Sequence, residues 1–387
     1  MDRSINKHAA DDSRSKSLNT GTQEGSTDKS SSSPVAIDGF AFRFPGEMSD
    51  ETDFWNALKQ KRDLVTQIPA DRWAVDELQH DKRSEHGRSI TFSAGVLSHI
   101  EEFDASFFGI SPREAAVLDP QQRLLLELTW ETMENAGISP SSMAGSDCAV
   151  YVGISGFDYG MCEVDDLAAI TSHSMTGNTL SIADNRISYM FDLHGPSLAV
   201  RCKPFDASGD GYVRSEGAAV LLLKPLEKAL AEGDDIHAVI LSSGVNADGA
   251  RKTGITIPSS DGQAELMRAV LSRSGLSSKE VDFIEAHGTG TVVGDPVETK
   301  AIGMVYGQKR NRPLPIGSVK ANLGHLEPAS GMAGLLKTIL ALKHRALPPA
   351  IHLHTPNPHI DFQALNLELV RKYKPFSRNR KKPLVAG

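Results

Sequence analysis

A chain of 387 residues that is 40% hydrophobic and 23% charged can bury one large core or two moderate ones. Its formal net charge of −8, with no interleaving of basic and aromatic residues, argues against nucleic-acid binding. No apolar run approaches membrane-spanning length and no signal-type apolar stretch opens the chain, so no membrane partner is expected and the default compartment is the cytoplasm.

Residues 1–33 are rich in Ser, Asp, Lys and Thr, which predicts a disordered tail that cannot offset its ordering entropy. From Pro34 onward strand-like and helix-like phrases alternate. VAIDGFAF (35–42) and CAVYVGI (148–154) read as strands. DPQQRLLLELTWETMENAG (119–137) reads as a helix, with Asp119 placed to cap, Pro120 at the first helical position, Leu124, Leu125 and Leu128 on one face and Gly137 beyond the end. AAVLLL (218–223) and HAVILSSGV (237–245) are apolar runs suited to strands covered on both faces. A helix over 261–274, stopped by Gly275, follows.

The pattern then occurs twice more. VDFIEAHG leads into GTGTVVGDPVETKAIG, where Asp295, Pro296 and Glu298 fit cap, first-turn and capping-box positions. LPIGSVKANLGH leads into PASGMAGLLKTILALKHR, with Met332, Leu335, Leu336, Ile339 and Leu340 at helical spacing. Strands alternating with helices predict an α/β fold with its sheets covered on both faces. Each of these two units places a histidine just past its strand, where α/β sites tend to lie.

Those histidines are His287 and His325, the second preceded by Lys320. Two neutral imidazoles donating to one carbonyl oxygen would stabilise an enolate or tetrahedral oxyanion of acyl chemistry. From the residues alone, a strand-end histidine serves structure as readily as catalysis, and Lys320 is as readily a surface lysine. Three cysteines, Cys148, Cys162 and Cys202, make neither a disulfide framework nor a paired metal motif. Cys148 and Cys162 read as inert small apolar residues. Around Cys202 no sharp turn of small residues exposes a thiolate, which argues against it as a nucleophile.

Together these stretches resemble the ketosynthase (β-ketoacyl synthase) domain of modular type I polyketide synthases, in the thiolase-like superfamily. The phrases that carry the resemblance include FRFPG (42–46), FFGISPREAAVLDPQQRLLLELTWE (107–131), GNTLSIADNRISY (177–189), GPSLAV (195–200), RCKPFDASGDGYVRSEG (201–217), EAHGTGTVVGDPVE (285–298) and SVKANLGHLEPASGMAGLLK (318–337). The resemblance implies a layered α/β/α/β/α fold, with an N-terminal half over 34–224 and a C-terminal half over 225–387. It implies acyl transfer in polyketide or fatty-acid biosynthesis: a cysteine takes an acyl group from an acyl carrier protein, and the enolate from a decarboxylated extender attacks that thioester. By the same resemblance His287 and His325 hold the extender's carbonyl and Lys320 orders the second histidine. No metal or soluble cofactor is implied; phosphopantetheine arrives on the carrier protein, and the family's usual assembly is a homodimer.

The resemblance breaks between Val200 and Arg201. There the family's strand runs into the catalytic cysteine, in a phrase such as VDTACSSS, followed by a helix and another strand. Here GPSLAV joins RCKPFD directly, so the N-terminal half is expected to be incomplete and condensation impaired. The alternatives are a non-catalytic module for carrier binding or dimerisation, residual decarboxylation of malonyl thioesters by His287 and His325 without condensation, or an inactive remnant. Two smaller departures are Phe42, where the family often has cysteine, and Asp184, where a small apolar residue is usual; Asp184 is expected to be a solvated or strained site. The closing PLVAG (383–387) reads as the opening of a late strand, which makes the C-terminal half truncated on this comparison.

Overall fold

The apolar run after Pro34 forms strand β1 (Val35–Arg43) in the computed structural model, which describes residues 33–387 except 83–84, 165–167, 169, 202–212, 249–256, 309 and 378–381. The predicted tail, apart from Ser33, and Cys202 lie outside the described residues. The other strands that position the site are β2 (Val150–Ile154), β3 (Ser197–Arg201), β4 (Ala218–Pro225), β5 (Ala238–Ile240), β6 (Ile284–Glu285), β7 (Leu314–Gly317) and β8 (Leu367–Leu369). They join in three sheets. β1 lies between β4 and β5, antiparallel to both, with Phe40 opposite Leu221 and Ala36 opposite Val239. β2 and β3 form a parallel pair, Val150 opposite Ser197 through Ile154 opposite Arg201. β7 lies between β8 and β6, all parallel.

Six helices cover these sheets: α1 (Glu51–Lys59), α2 (Pro120–Asn135), α3 (Ala183–Phe191), α4 (Ser260–Arg273), α5 (Gly294–Ile302) and α6 (Ser330–Lys343). The predicted caps form at α2, where Asp119 accepts from the Gln121 amide at 2.8 Å, and Gly275 leaves α4 with φ of 71°. α2 covers the face of β1 that carries Gly39, where an added Cβ would lie 2.6 Å from the Thr132 carbonyl oxygen. On the opposite face, Phe40 and Phe42 share a core with Leu336, Ile339 and Leu340 of α6. That core also reaches Phe283 beside β6, while α4 and α5 close the far side against Ile284, Ile316 and Leu367. Helix, sheet, helix, sheet, helix is the layering expected of the sequence. Among the described residues no helix is long and apolar enough to cross a membrane.

Four expectations need correction. The strand predicted over 237–245 stops at Ile240, because Ser242, Ser243 and Gly244 pair poorly in a sheet, and the Arg273 guanidinium instead donates to the Ser243 carbonyl at 2.7 Å. β4 is not covered on both faces: none of its residues is fully buried, and Leu223 is 49% exposed. On α2 the buried leucines are Leu126 and Leu128, while Leu124 and Leu125 are only half-buried. Cys162 is exposed on a short helix and so is not a packed apolar residue.

The two departures from the family pattern behave differently. Phe42 is absorbed, its ring 4.8 Å from Phe44 and 5.6 Å from Phe54 in a buried aromatic cluster. Asp184 is not solvated. It is 2% exposed in the first turn of α3, and its Oδ1 has no hydrogen-bond partner among the described residues. An unsatisfied buried polar group costs about 1–3 kcal/mol, and attraction to the helix N-terminus returns about 0.3–1 kcal/mol. Asp184→Ala is therefore expected to stabilise the protein by about 1–2 kcal/mol, seen as a higher urea midpoint at unchanged slope.

Candidate functional site

Parallel strands place both histidines at one end of the third sheet. β6 and β7 run side by side with Glu285 opposite Gly317, and the Ala286 amide extends the ladder to the Gly317 carbonyl at 2.7 Å. His287 follows β6 directly. His325 does not follow β7 directly, as the sequence suggested: a helical turn, Lys320–Leu323, intervenes. Gly324 then reverses the chain with φ of 76°, and a Cβ there would lie 2.9 Å from the Val213 carbonyl oxygen. The His325 backbone is clamped in turn, donating to Val213 O at 2.8 Å and accepting from the Ser215 amide at 2.9 Å.

The two imidazoles meet at 5.5 Å between ring centroids, with planes at 86°. Nδ1 of His325 accepts from the Glu327 amide at 3.0 Å and lies 3.0 Å from Ser330 Oγ. A backbone N–H can only donate, so the neutral ring carries its proton on Nε2. Thus His325 presents an Nε2–H donor on the side away from its own loop. His287 is exposed as a residue, with enough protein about its ring for burial to act on its pKa.

Carboxylates that sequence reasoning missed build the frame. Glu298 was expected to box the start of its own helix. Instead α5 begins at Gly294, whose amide donates to Thr291 Oγ1 at 3.1 Å, and Glu298 reaches back to accept from the His287 amide at 2.7 Å and the Gly288 amide at 2.9 Å. Asp295 likewise accepts from the Gly290 amide at 3.1 Å. Glu285 lies beneath, its Oε2 2.7 Å from Lys337 Nζ and its Oε1 accepting from the Val319 amide at 2.6 Å. The sequence pattern assigned Glu298 to a capping box and did not single out Glu285, because the amides they hold are 10 to 11 and 34 residues away.

Electrostatics keep both rings neutral. Partial burial lowers the His287 pKa first, and the Lys320 charge lowers it further. Burial also lowers that of His325, opposed by Glu327 and assisted by Lys320 and His287. Lys320 is half-buried, and burial pulls its own pKa down against the opposing charges of Glu285 and Glu298. A depressed histidine pKa gives stability that is present above the unfolded value of 6.5 and is lost as pH falls through the folded values. Both ring protons, followed by NMR, should accordingly titrate below 6.5, and Lys320→Met should move both midpoints upward.

No thiol is placed with this pair among the described residues. Burial pushes the Cys148 thiol pKa up, and its side chain packs beside the core around α2. The end of β3 is near the site: Arg201 pairs with Ile154 at the end of β2, and Gly153 approaches Pro328, three residues beyond His325. No cluster of three or more metal-ligating side chains occurs among the described residues.

Comparisons with known proteins agree with this architecture. The family profile described as beta-ketoacyl synthase, N-terminal domain, matches residues 32–201 and again 200–229, and its C-terminal counterpart matches 237–354. The chain is 36% identical to erythronolide synthase of Saccharopolyspora erythraea over 92% of its own length and 11% of that protein's. It is 38% identical to a phenolphthiocerol/phthiocerol polyketide synthase of Mycobacterium tuberculosis over 87% of its own length and 21% of that protein's. Among solved structures, the oxazolomycin ketosynthase domain of Streptomyces albus aligns with a TM-score of 0.83 at 30% identity, covering 92% of this chain and 71% of that one. The ketosynthase from module 6 of the bacillaene synthase of Bacillus subtilis aligns at 0.80 and 30%, covering 91% and 69%.

Proposed function

Because this chain belongs to the beta-ketoacyl synthase family, we propose that it holds malonyl-type thioesters on an acyl carrier protein at His287 and His325 and decarboxylates them without condensation. The observation that carries the reading is the crossed imidazole pair, 5.5 Å apart, with the His325 proton fixed on Nε2. Two such donors can share the oxygen of one thioester carbonyl. When the C–C bond to the carboxylate breaks, carbon dioxide leaves and its electron pair passes into the enolate, whose negative oxygen the imidazoles stabilise. With no acyl thioester alongside to attack, the enolate carbon takes a proton from water and acetyl-type carrier is the product.

Condensation needs a thiolate at the end of the strand that β3 represents, and the chain passes there from Val200 to Arg201. The two separate matches of the N-terminal profile, meeting at residues 200 and 201, support a missing segment at that point. The reading includes a phosphopantetheine-bearing carrier as partner, a cytoplasmic setting, division into halves over 34–224 and 225–387, and the family's homodimer. Lys320 acts through the rings, holding them neutral.

The test is to incubate the chain with malonyl-loaded carrier protein and an acyl-loaded carrier. Carbon dioxide and acetyl-type carrier are expected with no β-ketoacyl product. A β-ketoacyl product, or no carbon dioxide above the carrier alone, contradicts the reading.

A further inference from the structure

The first residue of α6 serves the site and not its own helix. Ser330 is 5% exposed, and Ala329 before it gives the helix no capping side chain. A hydroxyl at a helix start usually accepts from the helix's own first amides. Ser330 Oγ instead lies 3.0 Å from His325 Nδ1, five residues back. A single tight turn over Glu327–Ala329 closes that step, with Pro328 in it and the Ala329 amide donating to the Leu326 carbonyl at 3.0 Å. The turn is strained: Glu327 has φ of 51°, in the left-handed region that a residue with a side chain rarely occupies. Strain of this kind persists where the surroundings hold it, and it gathers at working sites. At Glu327 it accompanies an amide aimed at the same Nδ1, at 3.0 Å.

We propose that Ser330 is a positioning residue for His325, its hydroxyl donating to Nδ1 so that the ring plane is held and the Nε2–H becomes a stronger donor. The direction of the bond follows from the Glu327 amide. Nδ1 already accepts from that N–H, so it bears no proton and the hydroxyl must donate. The hold follows from geometry. The torsion that turns an imidazole about its Cβ–Cγ bond lies in a broad well, which one donor narrows and two donors from different residues narrow further. The stronger donor follows from polarisation, because each bond into Nδ1 draws electron density across the ring and leaves the Nε2 hydrogen more positive. Burial keeps water from taking the place of the hydroxyl. Ser330 acts only through the ring. Its kinetic consequence rests on the decarboxylation proposed above, whereas its bond to Nδ1 does not.

The test uses the full chain with its histidine rings labelled with the heavy nitrogen isotope, at a pH where the rings are neutral, and His325 is assigned by the resonances lost in His325→Gln. In the unaltered chain the His325 Nδ1 resonance should be that of an unprotonated, hydrogen-bonded nitrogen. Ser330→Ala should move it towards the position of a less hydrogen-bonded nitrogen, and Ser330→Thr, which keeps the hydroxyl, should return it. With malonyl-loaded carrier protein, Ser330→Ala should lower kcat roughly 2–10-fold at unchanged KM, the range that one neutral hydrogen bond commands, and Ser330→Thr should restore the rate. A merely structural serine would change the urea midpoint and leave kcat alone. The proposal is overturned by an Nδ1 resonance that ignores loss of the hydroxyl, by a proton on Nδ1 of the neutral ring, or by a moved resonance with kcat unchanged. No carbon dioxide from the unaltered chain, with Nδ1 responding as expected, contradicts the decarboxylation and leaves Ser330 as the residue that holds this ring.

Discussion

Replacing His325 with alanine is expected to lower carbon dioxide release from malonyl-loaded carrier protein by about 10²–10³-fold, the cost of losing one preorganised donor to a developing oxyanion. The effect falls on kcat, because charge gathers on the carbonyl oxygen as the carboxylate leaves and not when substrate binds. His325→Gln provides the control. Its amide nitrogen can stand near the place of Nε2 and restore part of the rate, whereas a merely structural histidine would show no such rescue. His287→Ala is expected to act similarly, and the double variant to lose less than the product of the two, since both rings serve one oxygen.

The largest stability effect is expected one layer beneath. Glu285 and Lys337 have side chains only 9% and 10% exposed and meet at 2.7 Å, while the other carboxylate oxygen takes the Val319 amide just before Lys320. Removing one member leaves a buried charge unpaired, so Glu285→Ala should cost about 3–5 kcal/mol in urea unfolding. Replacing both with methionine should cost much less than either single change. If the single and double variants cost the same, the pair is not what holds this part of the fold.

Much of the architecture was legible because its local signals agree with its tertiary setting. Asp119 and Pro120 open α2 where they predict, and the apolar run after Pro34 becomes β1. The errors fall where neighbours decide. Leu124 and Leu125 carry a helical apolar pattern, yet both line a cavity between β2 and β4 and only Leu125 also packs against the core around α2. HAVILSSGV has strand-like hydrophobicity, but its Ser-Ser-Gly portion is held by the Arg273 side chain from α4. In the site, the histidines stood out by their position after two strands, and the resemblance assigned them one carbonyl. Glu298 was misplaced because a capping-box spacing and a reach back to the His287 amide use the same residue, and only the fold distinguishes them. Asp184 was detectable as an oddity, but not its burial, which follows from α3 packing into the core around α2.

Acyl loading tests the central claim most directly: the chain is incubated with an acyl-loaded carrier protein, and its intact mass and peptide map are recorded. The account predicts no added acyl mass on Cys148, Cys162 or Cys202, together with carbon dioxide release that depends on His287 and His325. A thioester on Cys202, formed at a rate that falls when either histidine is replaced, would show a complete condensing site and contradict the account.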